Sequence, residues 1–254
     1  MSEKIWFLKR CPLFEHLAPE ECRRLEVRSL ERGFRRGEII YFPSEAGRTV
    51  LVLARGRVKI KAVTPDGRET IFAFIEPGEL FGELALLDGE PRNEYAEAVE
   101  ETRALAIPRE ELLWLMGRRP DVALHVTKLL GFRLRRVENR LRNILFRSNR
   151  ERIVALLVEL LESHGRHEGN AWEIRLRLSH QELANLIGAT RETVTVTLGQ
   201  LQREGLVSVK RRRITVLNRA RLAAEASGLE PAGGPVRGST RREADAGANG
   251  RVRR

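Results

Sequence analysis

Glycine, glutamate and arginine in residues 81–95 have the types and spacing of a site for a small phosphate. Gly82 and Glu83 come first, and Arg92 follows nine residues after the carboxylate. A guanidinium presents paired donors to phosphate oxygens. Glu94, however, stands two residues after Arg92, and its charge would repel a phosphate. The segment therefore raises two hypotheses, a working ligand site or the remains of one.

Residues 178–207 form a second segment with chemical potential, here for contact with a nucleic acid. Ser179 can cap a helix, with Glu182 as the return partner of a capping box. Gly188 permits a tight turn, and Thr190 can cap a second helix whose apolar positions face inward. Two helices joined in this way predict a helix-turn-helix, which places its second helix in the major groove of DNA.

Polar residues at the start of the second helix and a basic turn after it complete this candidate surface. Arg191, Glu192 and Thr195 would point outward. Residues 206–216 predict two short strands around the basic turn 210–213, which is typical of the wing of a winged helix. Its cations would contact phosphates, which position a protein on DNA without specifying sequence.

Positive charge is concentrated in the part of the chain that carries these motifs. The 254 residues have a net charge of +11. Residues 131–221 hold 19 Lys and Arg against 9 Asp and Glu, whereas residues 1–130 hold 21 against 22. The asymmetry predicts a neutral module joined to one that binds a polyanion.

A heptad seam lies on a helix predicted to run from Pro120 to about Phe146. Its apolar positions alternate in steps of four and three, and its flanks are rich in arginine. This pattern favours a two-chain coiled coil over a long core helix. The candidate interface residues are Leu130, Leu134, Val137, Leu141 and Ile144, extended by Ala123 and Thr127.

The region from about residue 30 to 108 predicts a small antiparallel barrel or jelly roll. Short runs rich in Val, Ile and Phe are separated by glycine-containing turn signals about ten residues apart. The predicted fold class is therefore α+β. The expected parts are a β-roll at 1–118, a dimerisation helix at 119–146, a winged helix-turn-helix at 147–222 and a disordered tail at 223–254.

Between the long helix and the helix-turn-helix we expect three further elements. Ser148 would cap a core helix that ends near His164. Residues 165–170 would form a loop, and the alternating residues 172–178 would form a strand.

Several classes of protein are excluded by what the sequence lacks. Cys11 and Cys22 are too few for a disulfide framework or a cysteine-only metal site, so idle thiols in a reducing cytosol are expected. A membrane-length apolar run, a secretory signal, a Ser/His/Asp set and a metal-ligand cluster do not occur. We expect a cytoplasmic protein that is not an enzyme, with no catalytic residue, cofactor, metal or membrane partner.

From about residue 12 to 220 the sequence resembles the cAMP receptor protein / fumarate–nitrate regulator (CRP/FNR) family of bacterial transcription factors. Residues 82–87 resemble the family's cassette in its β-roll, the helix from Pro120 its dimerisation helix, and residues 190–194 the start of its recognition helix. The resemblance implies a homodimer with double-stranded DNA and RNA polymerase as partners.

The resemblance also assigns base-reading positions. Arg191 and Glu192 match the first two, where arginine can donate to guanine and glutamate can accept from cytosine. Val196 stands at the third, where the cAMP receptor protein has arginine, and offers only apolar contact. The candidate DNA-binding residues are Ser179, Gln181, Thr190, Arg191, Glu192, Thr193, Thr195, Val196, Lys210, Arg211, Arg212 and Arg213.

An effector pocket in the roll is implied as well. In cAMP-binding relatives glycine and glutamate hold the ribose, and an Arg–Ser–Ala run holds the cyclic phosphate. Gly82, Glu83 and Arg92 match these positions, but Asn93 and Glu94 replace the serine and alanine. The pocket candidates are Gly82, Glu83, Leu84, Arg92 and Asn93.

Two further departures argue against cAMP. The Thr–Ser pair that the cAMP receptor protein presents from its long helix corresponds to Val137 and Glu138, which offer no hydroxyl. We expect Arg92 to pair with Glu94 or Glu97, so that the empty pocket closes on itself.

Three functions stay open at this point. The first is a sequence-specific DNA-binding regulator that works without a ligand or answers to a small effector other than cAMP. The second is a cAMP-responsive activator, and the third is a nucleotide-sensing subunit that acts on a partner protein. The third gives residues 178–216 and the basic block no purpose.

Overall fold

The computed structural model describes residues 3–87, 89–169 and 171–228. An N-terminal roll of two antiparallel sheets is followed by a long helix and a C-terminal winged helix-turn-helix. The helices are α1 Glu3–Arg10, α2 Pro19–Arg28, α3 Leu84–Leu87, α4 Arg109–Arg118, α5 Pro120–Phe146, α6 Asn149–His164, α7 His180–Ile187, α8 Arg191–Arg203 and α9 Arg219–Ala226. The strands are β1 Leu30–Phe34, β2 Ile39–Tyr41, β3 Thr49–Arg55, β4 Val58–Val63, β5 Glu69–Ile75, β6 Leu80–Phe81, β7 Tyr95–Ala98, β8 Thr102–Pro108, β9 Gly165–Glu168, β10 Ala171–Ile174, β11 Val207–Lys210 and β12 Arg213–Val216.

The roll consists of two four-stranded sheets with the strand orders β1-β8-β3-β6 and β2-β7-β4-β5. Strand β3 is buried at five consecutive positions, 50–54, because side chains on both of its faces are covered. The cassette residues 82–87 follow β6 directly and include the single-turn helix α3. The predicted small antiparallel roll is therefore confirmed.

Helix α5 begins with Pro120 in its first turn and ends at Phe146, the bounds that the sequence predicts. Val122 and Val126 are buried, and Val122 belongs to the core cluster formed with the roll. Beyond them the apolar side chains of the seam are largely uncovered. The helix therefore packs on its own chain mainly through its first two turns.

In the winged-helix module, helix α6 is capped by Ser148 as predicted, and its apolar face forms the core. The loop prediction is wrong at residues 165–168, which form the edge strand β9 paired with β10. Strand β10 is shorter than predicted and ends at Ile174. Helix α9 continues to Ala226, so the domain boundary placed at 222 is four residues short. The tail from 229 onward lies outside the described residues.

The roll and the winged-helix module meet along β5. Ile71 and Phe74 belong to the same apolar cluster as the core of the winged-helix module. Arg140 of α5 donates to the carbonyl oxygens of Ile71 at 2.9 Å and Phe72 at 2.6 Å. Strand β5 is thus held by both neighbouring parts of the chain.

Candidate functional site

The helix-turn-helix is built by local hydrogen bonds that the sequence predicts. The Ser179 hydroxyl accepts from the Glu182 amide at 3.2 Å, and the Glu182 carboxylate accepts from the Ser179 amide at 2.7 Å. Helix α7 ends at Gly188, whose φ of 67° is the left-handed conformation that glycine adopts without strain. The Thr190 hydroxyl then accepts from the amide of Thr193 at 3.2 Å and starts α8.

Helix α8 turns one face inward and leaves its reading face in solvent. Val194, Leu198 and Leu201 are buried. On the opposite side Arg191, Glu192 and Thr195 are exposed, and so is Val196, with 60% of its surface accessible. Arginine and glutamate at the first turn can reach base edges, and an exposed valine can contact a thymine methyl group.

The wing is a tight two-residue hairpin. Strands β11 and β12 are joined by Arg211 and Arg212, whose φ angles of 46° and 67° are unusual for non-glycine residues. Arg213 forms an ion pair with Glu173 at 2.8 Å. Lys210, Arg211 and Arg212 are exposed. Of the four predicted wing cations, these three are the better placed to meet phosphates.

The roll borders one edge of this surface. The Asn185 amide of α7 donates to the Glu69 carboxylate of β5 at 3.4 Å. A cleft of about 240 Å³ has Ser179 and Arg212 on one side and Arg36 and Lys59 of the roll on the other. A duplex that contacts Ser179 and Arg212 must therefore fit beside the roll or displace it.

One residue of this surface is missed by the sequence reasoning. His180, the first residue of α7, places its Nδ1 atom 2.7 Å from the Thr195 hydroxyl of α8. Gln181, which the sequence does predict, is exposed and bonds to Asn185 at 2.8 Å. The signal that could have found His180 is its place directly after the capping Ser179.

In the roll, Arg92 is turned into the protein. Its guanidinium donates to the carbonyl oxygens of Gly82 at 3.1 Å and Thr49 at 2.6 Å, and it lies 3.9 Å from the centre of the Tyr41 ring. Gly82 has a φ of 75°, and a Cβ atom there would collide with the guanidinium. Only 6% of Arg92 is exposed. The group expected to hold a phosphate is thus engaged by the main chain.

The predicted pairing of Arg92 with Glu94 or Glu97 is wrong. Glu94 accepts from the Tyr41 hydroxyl at 3.0 Å. Glu97 pairs with Lys59 at 3.2 Å and Lys61 at 2.5 Å, because β7 lies beside β4 in the sheet. Backbone carbonyl oxygens, which carry no sequence signal, take the place of these carboxylates.

Glu83 is the most deeply buried charged group of the pocket. Only 1% of it is exposed, and its Oε1 atom forms an ion pair with Arg133 of α5. Arg133 also donates to the carbonyl oxygen of Leu80 at 2.5 Å. The Oε2 atom of Glu83 is buried without a hydrogen-bond partner among the described residues. The long helix therefore supplies the counter-charge at the ribose-type position.

The remaining pocket candidates separate into exposed and buried groups. Leu84 and Asn93 are exposed, and so are Val137 and Glu138 of α5. Burial raises the pKa of Glu94, and the neighbouring Glu83 carboxylate raises it further, although the Tyr41 hydroxyl opposes this. The pocket thus combines two carboxylates with two arginines that the chain itself already binds.

Two absences bear on other classes of site. Nowhere in residues 3–87, 89–169 and 171–228 do three metal-ligating side chains come together. Within that same part of the chain, no helix is both long and apolar enough to cross a membrane.

Comparison with known proteins places both modules. The family described as "Cyclic nucleotide-binding domain" matches residues 31–119, and "Crp-like helix-turn-helix domain" matches residues 151–225. A Mycobacterium tuberculosis protein described as "CRP-like cAMP-activated global transcriptional regulator" is 30% identical over 219 residues, 86% of this chain and 98% of that protein. The Thermus thermophilus "Cyclic AMP receptor protein" is 36% identical over 222 residues, 87% of this chain and 100% of that protein.

A solved structure agrees with this assignment. FixK2 from Bradyrhizobium japonicum aligns with a TM-score of 0.69 at 27% identity, over 81% of this chain and 99% of FixK2. Both matched modules, their order and the full-length relatives agree with the helix-turn-helix and roll described above. The chain belongs to the CRP/FNR family of DNA-binding transcription regulators.

Proposed function

We propose that this regulator binds inverted-repeat promoter DNA as a homodimer and that its DNA binding does not depend on cAMP. The observation that carries the DNA part is the reading face of α8, with Arg191 and Glu192 exposed at its first turn. In a two-fold dimer the two copies of α8 would enter major grooves about 34 Å apart. RNA polymerase is the further partner, and the cytoplasm is the proposed location.

The homodimer is supported by the seam of α5. Leu134, Val137, Leu141 and Ile144 are 59%, 54%, 56% and 44% exposed. Leu130 is half-buried at the start of this row. A row of apolar side chains at heptad spacing is stabilised when a second copy covers it.

Independence from cAMP is supported by the contacts of the roll pocket. Binding a cyclic phosphate would require Arg92 to leave the carbonyl oxygens of Gly82 and Thr49. Glu94 would lie near the phosphate and repel it by about 1–4 kcal/mol at 4 Å, depending on solvent.

The alternative is a cAMP-responsive activator. It is favoured by relatives described as cAMP-activated or as a cyclic AMP receptor, and by Gly82, Glu83 and Arg92 at the matching positions. A nucleotide-sensing subunit that acts on a partner protein is a weaker candidate. Selection of bound sequences from random DNA, with and without cAMP, tests the proposal: an inverted repeat should emerge without nucleotide.

A further inference from the structure

His180 and Thr195 join the two helices of the reading surface through a hydrogen bond whose direction is fixed. The Thr195 hydroxyl lies 2.9 Å from the carbonyl oxygen of Arg191, one helical turn earlier. A carbonyl oxygen can only accept, so the hydroxyl donates its single proton there. Thr195 Oγ1 must then accept from His180 Nδ1, which lies 2.7 Å away.

This direction determines the tautomer of His180. Because Nδ1 carries a proton, Nε2 holds a lone pair while the ring is neutral. A lone pair repels a phosphate oxygen. Only the imidazolium form, in which Nε2 also carries a proton, can donate to a phosphate while Nδ1 keeps its bond to Thr195.

The surroundings of the ring suit an anion. His180 lines a cavity of about 410 Å³, and the other lining residues are Leu178, Ser179, Gln181, Arg191 and Arg212. Arg191 comes from α8 and Arg212 from the wing. Both cations of this lining belong to the proposed DNA surface.

Acidic groups near this cavity are held elsewhere. The Glu182 carboxylate binds the amide and hydroxyl of Ser179 at 2.7 Å. Glu192 lines a separate cleft with Gln181 and Arg191. On the roll side, Arg36, Lys59 and Glu97 face a neighbouring cleft that shares Ser179 and Arg212, and Glu97 is paired with Lys59 and Lys61.

We propose that His180 is a proton-dependent phosphate contact, so that DNA binding takes up one proton from solvent at each half-site. The inference rests on the proposed DNA-binding function. Histidine is the side chain that changes charge between about pH 5 and 8. DNA affinity is therefore higher when the ring is protonated, and the binding strength follows pH within that interval.

The test measures dissociation constants of the full chain for a selected inverted repeat at about pH 6 and pH 8. A charge-assisted hydrogen bond corresponds to roughly tenfold in affinity per half-site. Wild type is expected to weaken by about that factor at the higher pH. The slope of log affinity against log salt should be steeper at pH 6 by about 0.9 per phosphate contact.

Two substitutions at one position separate charge from shape. His180→Gln keeps a hydrogen-bonding side chain without titration and should show affinity that is weak and flat with pH. His180→Arg should be flat and tight. His167→Gln, on the exposed edge strand β9, is the matched control and should keep the wild-type pH dependence. Circular dichroism at both pH values checks that each variant is folded.

Equal pH dependence in wild type and His180→Gln overturns the inference and leaves the DNA-binding function intact. A wild type whose affinity does not change with pH does the same. A wild type that binds no DNA at either pH contradicts the proposed function instead.

Discussion

The guanidinium of Arg133 on α5 forms an ion pair with the carboxylate of Glu83, which is almost fully buried in the roll. The two residues are 50 positions apart in the chain. The pair fastens the proposed dimerisation helix to the cassette at the position where relatives would hold a ribose. Contact between effector domain and helix is thus made by the protein's own side chains.

Arg133→Ala is expected to destabilise the protein by about 3 kcal/mol, because it leaves a buried carboxylate without its counter-charge. We choose the low end of the range since the Arg133 side chain is 24% exposed and water can replace part of it. Urea unfolding measures the effect. Arg135→Ala, an exposed arginine on the same helix, is the control. Equal stability of the two variants would show that the ion pair contributes nothing.

Glu94→Gln is expected to stabilise the protein at neutral pH. Burial raises the pKa of Glu94, so the folded state binds its proton more tightly than the unfolded state. That contribution is complete below the ordinary glutamate value of about 4.3 and is lost as pH rises through the raised value. Glutamine avoids this loss and can still accept from Tyr41.

Thermal unfolding from about pH 4 to pH 7 checks this expectation. The advantage of Glu94→Gln over wild type should grow as pH rises. Glu100→Gln reports what the loss of an exposed carboxylate does by itself. A stability difference that shrinks with rising pH contradicts the assignment.

Leu134→Asp is expected to break the homodimer by burying an unpaired charge in the seam, at a cost of several kcal/mol. Light scattering should give twice the chain mass of 29.0 kDa for wild type and a single chain mass for the variant. Phe132→Asp, roughly 160° away around the helix, removes another exposed apolar side chain and should stay dimeric. A monomeric wild type with full DNA affinity would exclude the dimer.

Arg191→Ala is expected to cost about 1–3 kcal/mol per half-site and to relax the preference for one base. Lys210→Ala should weaken all sequences alike and flatten the salt dependence, since a wing cation contacts phosphate only. Arg203→Ala, at the far end of α8, is the control. Unchanged sequence preference in Arg191→Ala would mean that α8 does not read bases.

Local patterns predict the elements of this fold well. Pro120 marks the start of α5 and the heptad pattern its length, while the capping box at Ser179 marks the start of α7. Strand β9 escapes prediction because it is an edge strand, largely exposed, so it lacks the apolar alternation that signals a strand.

The contacts of the roll pocket could not be predicted in the same way. Arg92 is held by two backbone carbonyl oxygens, which every residue possesses. Arg133 meets Glu83 only because α5 packs beside the cassette, and its sequence context shows nothing but a charged helix. His180 meets Thr195 across two helices for the same reason. Tertiary packing, not local pattern, selects these partners.

The most direct test of the central claim is a fluorescence anisotropy titration of a selected inverted-repeat duplex with the full-length protein, in the absence and presence of cAMP. A duplex with one half-site destroyed is the control. We predict tight, specific binding without nucleotide, unchanged by cAMP and strongly reduced on the single half-site. Specific binding that appears only after micromolar cAMP is added would contradict the account.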